Sequence, residues 1–289
     1  MIASEPIRIE ATDGYPLAAT IFRPPPPRPV ERTALVCAAM GAKRSLYCAF
    51  AEYLAERGFA VVTFDYRGIG GSAPRDLRGF RATLGDWGRH DLAGAIEWMC
   101  DSFPDRRAAV VAHSVGGQIF GLAANNGRIS DLLGFAAQSA YWGHWSGVQR
   151  LRVLSMWTIF IPSLSRLLGY FPSNWFGLGP RLPARVAREW AYWGRHPRYV
   201  IGRIDDAERR QFNGFRGRLR AVGASDDALA PAAAIDGLLA FYPNAASERH
   251  QIDPSDLGVQ SIGHFGYFRE QVGRHLWPRE TDWLFEGQR

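Results

Sequence analysis

Lysine is almost missing from this 289-residue sequence: Lys43 is the only one, so the net charge of +6 rests on arginine. The arginines are spread along the chain. The densest groups, Arg209-Arg210 and Arg216 to Arg220, sit in no motif that reads DNA or RNA. A solvated basic surface is expected, with no nucleic-acid partner. Cysteine is scarce as well. Cys37, Cys48 and Cys100 are too few and too scattered for a disulfide framework or a zinc site, and no C-x-x-C occurs. That usage suits a reducing compartment, and a cytoplasmic location is the expectation. Long apolar runs are lacking. The best candidate, 153–165, contains Pro162 and is closed by Arg152 and Arg166, short of the roughly 18 apolar residues a spanning helix takes. The N-terminus has no basic stretch leading into an apolar one, so neither a signal peptide nor a transmembrane segment is expected. No repeat and no low-complexity tract is visible, which with 47% hydrophobic residues excludes disordered and fibrous classes.

What is present is a rhythm. Ile7 to Glu10 and Leu17 to Phe22 alternate about Asp13-Gly14, as a hairpin does. The Pro24 to Pro27 run cannot join a sheet ladder and reads as a surface connection. Short apolar runs at 34–38, 59–64, 108–112, 132–137 and 219–223 read as buried strands, and a last strand is expected at 248–252. Helical spacing fills 45–57, 86–100, 116–125 and 231–241 between them. Buried strands alternating with helices specify an α/β fold with a mostly parallel central sheet and helices on both faces. The rhythm stops between 139 and 209, where six of the ten tryptophans lie. The domain reading is a core made of 1–138 and 210–289, carrying a helical insertion at 139–209.

Ala112-His-Ser114-Val-Gly116-Gly lies directly between a buried strand and a helix. A serine on so sharp a turn stands clear of the sheet, and small neighbours let the backbone bend there. The helix start adds N–H groups and partial positive charge where an oxyanion would form. A serine hydroxyl needs a base, which near neutral pH is a histidine. Of seven histidines, His264 sits in the Gly-flanked loop Ile262-Gly-His-Phe-Gly266 after the last strand, where an imidazole can reach the strand ends. His113 is expected to pack beneath the serine. The carboxylate that orients the base is sought in Gly223-Ala-Ser-Asp226-Asp227, after a buried strand. Spacing from Pro231 favours Asp227 and counting from Gly223 favours Asp226, so Asp227 is taken with Asp226 as the alternative.

The order Ser114, Asp227, His264, together with Asp65-Tyr-Arg67-Gly68-Ile-Gly70-Gly-Ser72, resembles the α/β-hydrolase superfamily over essentially the whole chain. Ala39-Met40-Gly41, the Asp226-Asp227 pair and the His264 loop are similar to a bacterial branch of predicted serine hydrolases, esterase-like or serine aminopeptidase-like. The first glycine of the usual G-x-S-x-G is Ala112 here. The resemblance implies an oxyanion hole from the backbone N–H of Val115 and of Met40, with Gly41 as the alternative to Met40. It implies a structural role for the Asp65–Ser72 turn. It also implies that the insertion is a cap, with Tyr141, Trp142, Trp145 and Trp157 lining a substrate pocket suited to an apolar acyl or alcohol group. The expected activity is cleavage of an ester, thioester or amide bond through an acyl-enzyme, without metal or organic cofactor. Acyl transfer on the same residues and a non-catalytic ligand-binding protein are the alternatives. A dehalogenase would place aspartate where Ser114 stands. Oligomeric state is not legible.

Overall fold

The computed structural model describes residues 2–286. The strands of its main sheet are β1 (Ala3–Glu10), β2 (Pro16–Arg23), β3 (Arg32–Cys37), β4 (Phe59–Phe64), β5 (Arg107–His113) and β6 (Asp131–Phe135), completed by β9 (Arg218–Ala224) and β10 (Ala246–Ile252). Two short strands, β7 (Tyr170–Phe171) and β8 (Leu182–Pro183), pair apart from it. The sheet order is β1-β2-β4-β3-β5-β6-β9-β10. The β1–β2 hairpin and its contact with β4 are antiparallel, and every later pairing is parallel. The apolar runs account for this. All six residues of β4 and all five of β6 are buried, as strands covered on both faces require. The β3 strand lies between β4 and β5, so the order of addition reverses there. At that point a crevice opens beyond the carboxyl ends of the strands.

Helices α1 (Cys48–Glu56), α2 (Leu84–Asp86), α3 (Ala93–Ser102) and α4 (Val115–Ile119) follow the expected windows. A π-turn at Trp87–Leu92 joins α2 to α3, and Thr83 and Asp86 form a capping box at its start. The helix after Ser114 is shorter than the spacing implies, passing into a 3-10 turn at Phe120–Leu122. Within that turn Gly121 makes a close approach, for a Cβ there would lie 2.2 Å from the Phe212 ring.

Between β6 and β9 come α5 (Gly147–Ser155), α6 (Ile161–Leu168), α7 (Ala184–Gly194) and α8 (Asp206–Gly214). A π-turn at Met156–Phe160 makes α5 and α6 one helix of 22 residues. Pro162 does not interrupt it, because Pro162 falls in the first turn of α6 just after that π-turn. The apolar run at 153–165 thus lies within a longer helix, and by length and composition alone 147–168 is long and apolar enough to cross a membrane. The insertion is also not wholly helical, since it carries β7 and β8. Its last helix, α8, packs through Phe212 onto Gly121 and Phe241 of the core. The chain closes with α9 (Ala232–Leu239) and α10 (Glu270–Phe285).

Two polar ties hold the turn after β4. Arg67 donates to Asp91 at 2.6 Å and to both oxygens of Asp13 at 2.6 and 2.7 Å. Asp65 accepts from the Arg44 and Gly71 N–H groups at 2.7 and 2.8 Å and pairs with the Arg44 guanidinium. Gly70 is required here: at φ +49, a Cβ would lie 2.4 Å from the Asp65 carboxylate.

Candidate active site

Ser114 occupies the turn from β5 into α4 with φ 52 and ψ −111, a conformation that costs a non-glycine residue about 1–3 kcal/mol. Small neighbours make the turn possible. A Cβ on Gly116 would stand 2.8 Å from the Cys37 carbonyl, and one on Gly117 2.7 Å from the Ala137 side chain. Ala112 takes the place of a glycine without conflict, because it is still strand and fully buried.

The Ser114 hydroxyl lies 3.0 Å from His264 Nε2, and His264 Nδ1 lies 2.9 Å from an Asp227 carboxylate oxygen. These bonds fix the tautomer. A carboxylate only accepts, so Nδ1 carries the proton and donates to Asp227, leaving Nε2 bare to accept from the Ser114 hydroxyl. The other Asp227 oxygen accepts from the Leu229 and Ala230 N–H groups at 2.9 and 3.2 Å. Asp227 is buried, and its orientation is thereby set from behind.

Asp226 does something else. Its exposed carboxylate accepts from the Ile262 N–H at 2.9 Å and the Gly263 N–H at 3.0 Å. The two adjacent aspartates therefore divide the work on one loop, Asp227 gripping the imidazole and Asp226 the backbone just before it. Nothing in the spacing announces this second grip. It arises because Gly263 takes φ +56, which turns two consecutive N–H groups toward one carboxylate.

His113, directly before the serine, is fully buried and is held at both ring nitrogens. Nε2 lies 2.8 Å from the His264 carbonyl, and Nδ1 lies 2.9 Å from the Tyr47 hydroxyl. A carbonyl cannot donate, so Nε2 carries the proton and Nδ1 accepts from Tyr47, whose oxygen accepts in turn from the Ala39 N–H at 2.8 Å. Burial, reinforced by the nearby His264, pushes the His113 imidazole well below its usual range, which keeps it neutral as this pattern demands. One chain of bonds thus ties the Ala39 loop, the serine turn and the backbone of His264. Tyr47 is invisible to sequence reasoning, because its partners lie 8 and 66 residues away.

Above Ser114 is an apolar cavity of about 100 Å³. Its floor includes Ser114, His264, Ala39 and Met40, and its roof includes Trp145, Val153, Met156, Trp157 and Trp190. Trp145 and Trp157 are fixed by indole N–H bonds to the Ala228 and Ala140 carbonyls, at 2.9 and 3.0 Å. Tyr141 and Trp142 do not line the cavity and are corrected on this point. Tyr141 packs edge-on to His144, and Trp142 lies under the Arg150 guanidinium at 4.5 Å. Val153, Met156 and Trp190 escaped the sequence reading because helical spacing does not show which side of a helix meets a cavity. Met40 and Val115 both flank Ser114, and among the described residues no protein acceptor takes the N–H of either. Gly41 turns away at φ +73, packed against Leu178 and Pro180. Among the described residues no group of His, Cys, Asp and Glu is placed to hold a metal ion.

The family described as "Serine aminopeptidase, S33" matches residues 28–165. The main sheet and its order agree with the solved structures on one fold. The chain has the α/β-hydrolase fold. Solved structures resembling this fold include an esterase of Pyrococcus furiosus, at 16% identity and TM-score 0.58, with 98% of this chain and 92% of that one covered. A hypothetical protein of Pseudomonas aeruginosa aligns at 16% identity and TM-score 0.63, covering 99% and 94%. An α/β serine hydrolase without a lid, from Xanthomonas campestris, aligns at 17% identity and TM-score 0.51, covering 94% of each chain. Among curated proteins, none matches the chain.

Proposed function

We propose that this chain is an α/β-hydrolase working as an esterase-type serine hydrolase on small esters with an apolar acyl group. The observation that carries the reading is the bond series Ser114–His264–Asp227 at 3.0 and 2.9 Å, opening into an apolar cavity. Ser114 Oγ attacks the carbonyl carbon while His264 Nε2 takes its proton. The positive imidazole is stabilised by Asp227, and the oxyanion is held by the Val115 and Met40 N–H groups. His264 then gives the proton to the leaving alkoxide, which departs as the alcohol. A water that passes its proton to the same nitrogen attacks the acyl-enzyme, and the acid leaves as Ser114 recovers its hydrogen. Residues 139–209 act as the cap in this reading. Excluding water beneath them strengthens each of these charge interactions.

The family match also favours a second reading, cleavage of aminoacyl amides. Such a substrate brings an ammonium group that requires a carboxylate or a ring of carbonyls at the site. No carboxylate lines the cavity among the described residues, which supports the ester over the amide. Nitrophenyl esters of rising acyl length, run beside aminoacyl nitroanilides, test the choice. Turnover of short esters is expected, with the rate declining beyond the length that about 100 Å³ accepts. Faster nitroanilide than ester cleavage would reverse the assignment. Absence of fluorophosphonate labelling on well-folded protein would point to a ligand-binding protein instead.

A further inference from the structure

The helix at 147–168 has two unlike sides. Inward, Val153, Met156 and Trp157 meet the cavity. Outward, large apolar side chains stand bare at three- to eight-residue intervals: Val148, Leu151, Ile159 and Leu167, the last 80% exposed. Only 17% of the most apolar window of this helix is buried, which no ordinary core helix shows. It does not span a bilayer in this fold, because its inner side is committed to the cavity and the core.

The charge around it is just as one-sided. Residues 139–204 contain nine arginines and a single carboxylate, Glu189, which is engaged by the Gly85 N–H at 2.7 Å. Four arginines, Arg81, Arg166, Arg185 and Arg188, line one surface groove beside Leu167. Among the described residues none of the four pairs with a carboxylate, whereas Arg44, Arg67, Arg89 and Arg218 elsewhere all do. A second copy of the chain would set these like charges against each other. A peptide would want a groove for its apolar anchors, but these project outward along about 33 Å of helix. A broad, fluid, apolar and negatively charged partner satisfies both features.

We propose that this face docks in plane on an anionic lipid bilayer, with the leucines in the acyl boundary and lipid phosphates in the arginine groove. Apolar esters concentrate in bilayers, so docking would bring the cavity to its substrate. Binding itself does not depend on the esterase reading and is measured without substrate.

The test is co-sedimentation of the full chain with 100-nm vesicles of phosphatidylcholine, with and without 30% phosphatidylglycerol. Binding should be at least about tenfold stronger to the anionic vesicles and should weaken in 0.5 M salt. Arg166→Gln/Arg185→Gln/Arg188→Gln should lose about 100-fold in partitioning. Leu151→Gln/Leu167→Gln, which changes no charge, should lose about tenfold. All these positions are on the surface, so melting temperature and hydrolysis of a soluble ester should match the parent. Equal binding to neutral and anionic vesicles, or none, overturns the proposal, as does parent-like binding by either variant. Sedimentation velocity showing a dimer that Leu151→Gln/Leu167→Gln dissolves would give the face to a second copy and overturn it equally.

Discussion

The floor and the roof of the cavity are built on different principles. On the floor, Ser114, His264, Asp227, Asp226 and His113 are each held by hydrogen bonds at about 3 Å, several of them from backbone. On the roof, Val153, Met156 and Trp190 are held by packing, and Trp157, though its indole N–H bonds the Ala140 carbonyl, meets the Trp190 ring edge-on with centroids 4.5 Å apart. A hydrogen bond specifies particular atoms, whereas packing specifies only volume and shape. Substitutions on the floor should therefore change the chemistry, and substitutions on the roof the choice of substrate.

The largest contrast comes from Ser114→Ala. Turnover of a soluble nitrophenyl ester should fall by about 10⁴-fold or more and fluorophosphonate labelling should vanish, with the melting temperature preserved. Persistent labelling would place the nucleophile elsewhere. Next comes a comparison within the floor. Asp227→Asn presents an amide to Nδ1, favours the wrong tautomer and should reduce kcat by about 10³–10⁴-fold. Asp226→Asn leaves the imidazole bond in place and loosens only the 262–263 backbone, so about tenfold is expected. Equal losses in paired kinetics would mean that the two carboxylates do not divide the work as their bonds suggest.

The same division explains what could be read from the sequence. Buried strands announce themselves as apolar runs, and the serine between 108–112 and the next helix marks its own turn, so the sheet and Ser114 were legible. His264 and Asp227 followed from the need for a base and its orienting carboxylate at strand ends. Tyr47 and the loop-gripping role of Asp226 were not legible, because each depends on a backbone N–H brought close by the fold. The roof was legible only as a class. Tryptophan enrichment marked an aromatic segment, but whether Trp142 or Trp190 faces the cavity depends on how that segment folds over the sheet. The 22-residue helix was underestimated because Arg152 and Arg166 look like stops in a linear reading, whereas on a helix they lie at the exposed surface.

A roof substitution should move selectivity while sparing the chemistry. Met156→Ala removes a side chain from the cavity wall, and about two or three methylene equivalents of space should favour longer acyl groups. The ratio of kcat/KM for an octanoyl ester to that for an acetyl ester should rise by about tenfold, with labelling by a small fluorophosphonate retained. A uniform fall across the series would instead give Met156 a part in fixing the floor.

The smallest effect expected concerns His113, and it is one of stability. Its burial depresses the folded imidazole's proton affinity, whereas the unfolded chain takes up that proton near pH 6.5. The unfolded state thus binds more protons on acidification. The stabilisation due to a neutral His113 is complete above about pH 6.5 and is lost as pH falls toward the depressed folded value, at up to about 1.4 kcal/mol per pH unit. His144 and His196 are lowered by burial too, but they remain in any His113 variant and cancel in the comparison. His113→Asn can still bond Tyr47 or the His264 carbonyl and does not titrate. Urea denaturation at pH 7, 6 and 5 should show a less stable variant at pH 7 whose deficit narrows on acidification. A deficit independent of pH would mean that His113 takes up its proton as readily folded as unfolded, one that widens would mean that it is protonated in the folded chain, and in either case the bond directions assigned from Ala39 through Tyr47 to His264 would have to be redrawn.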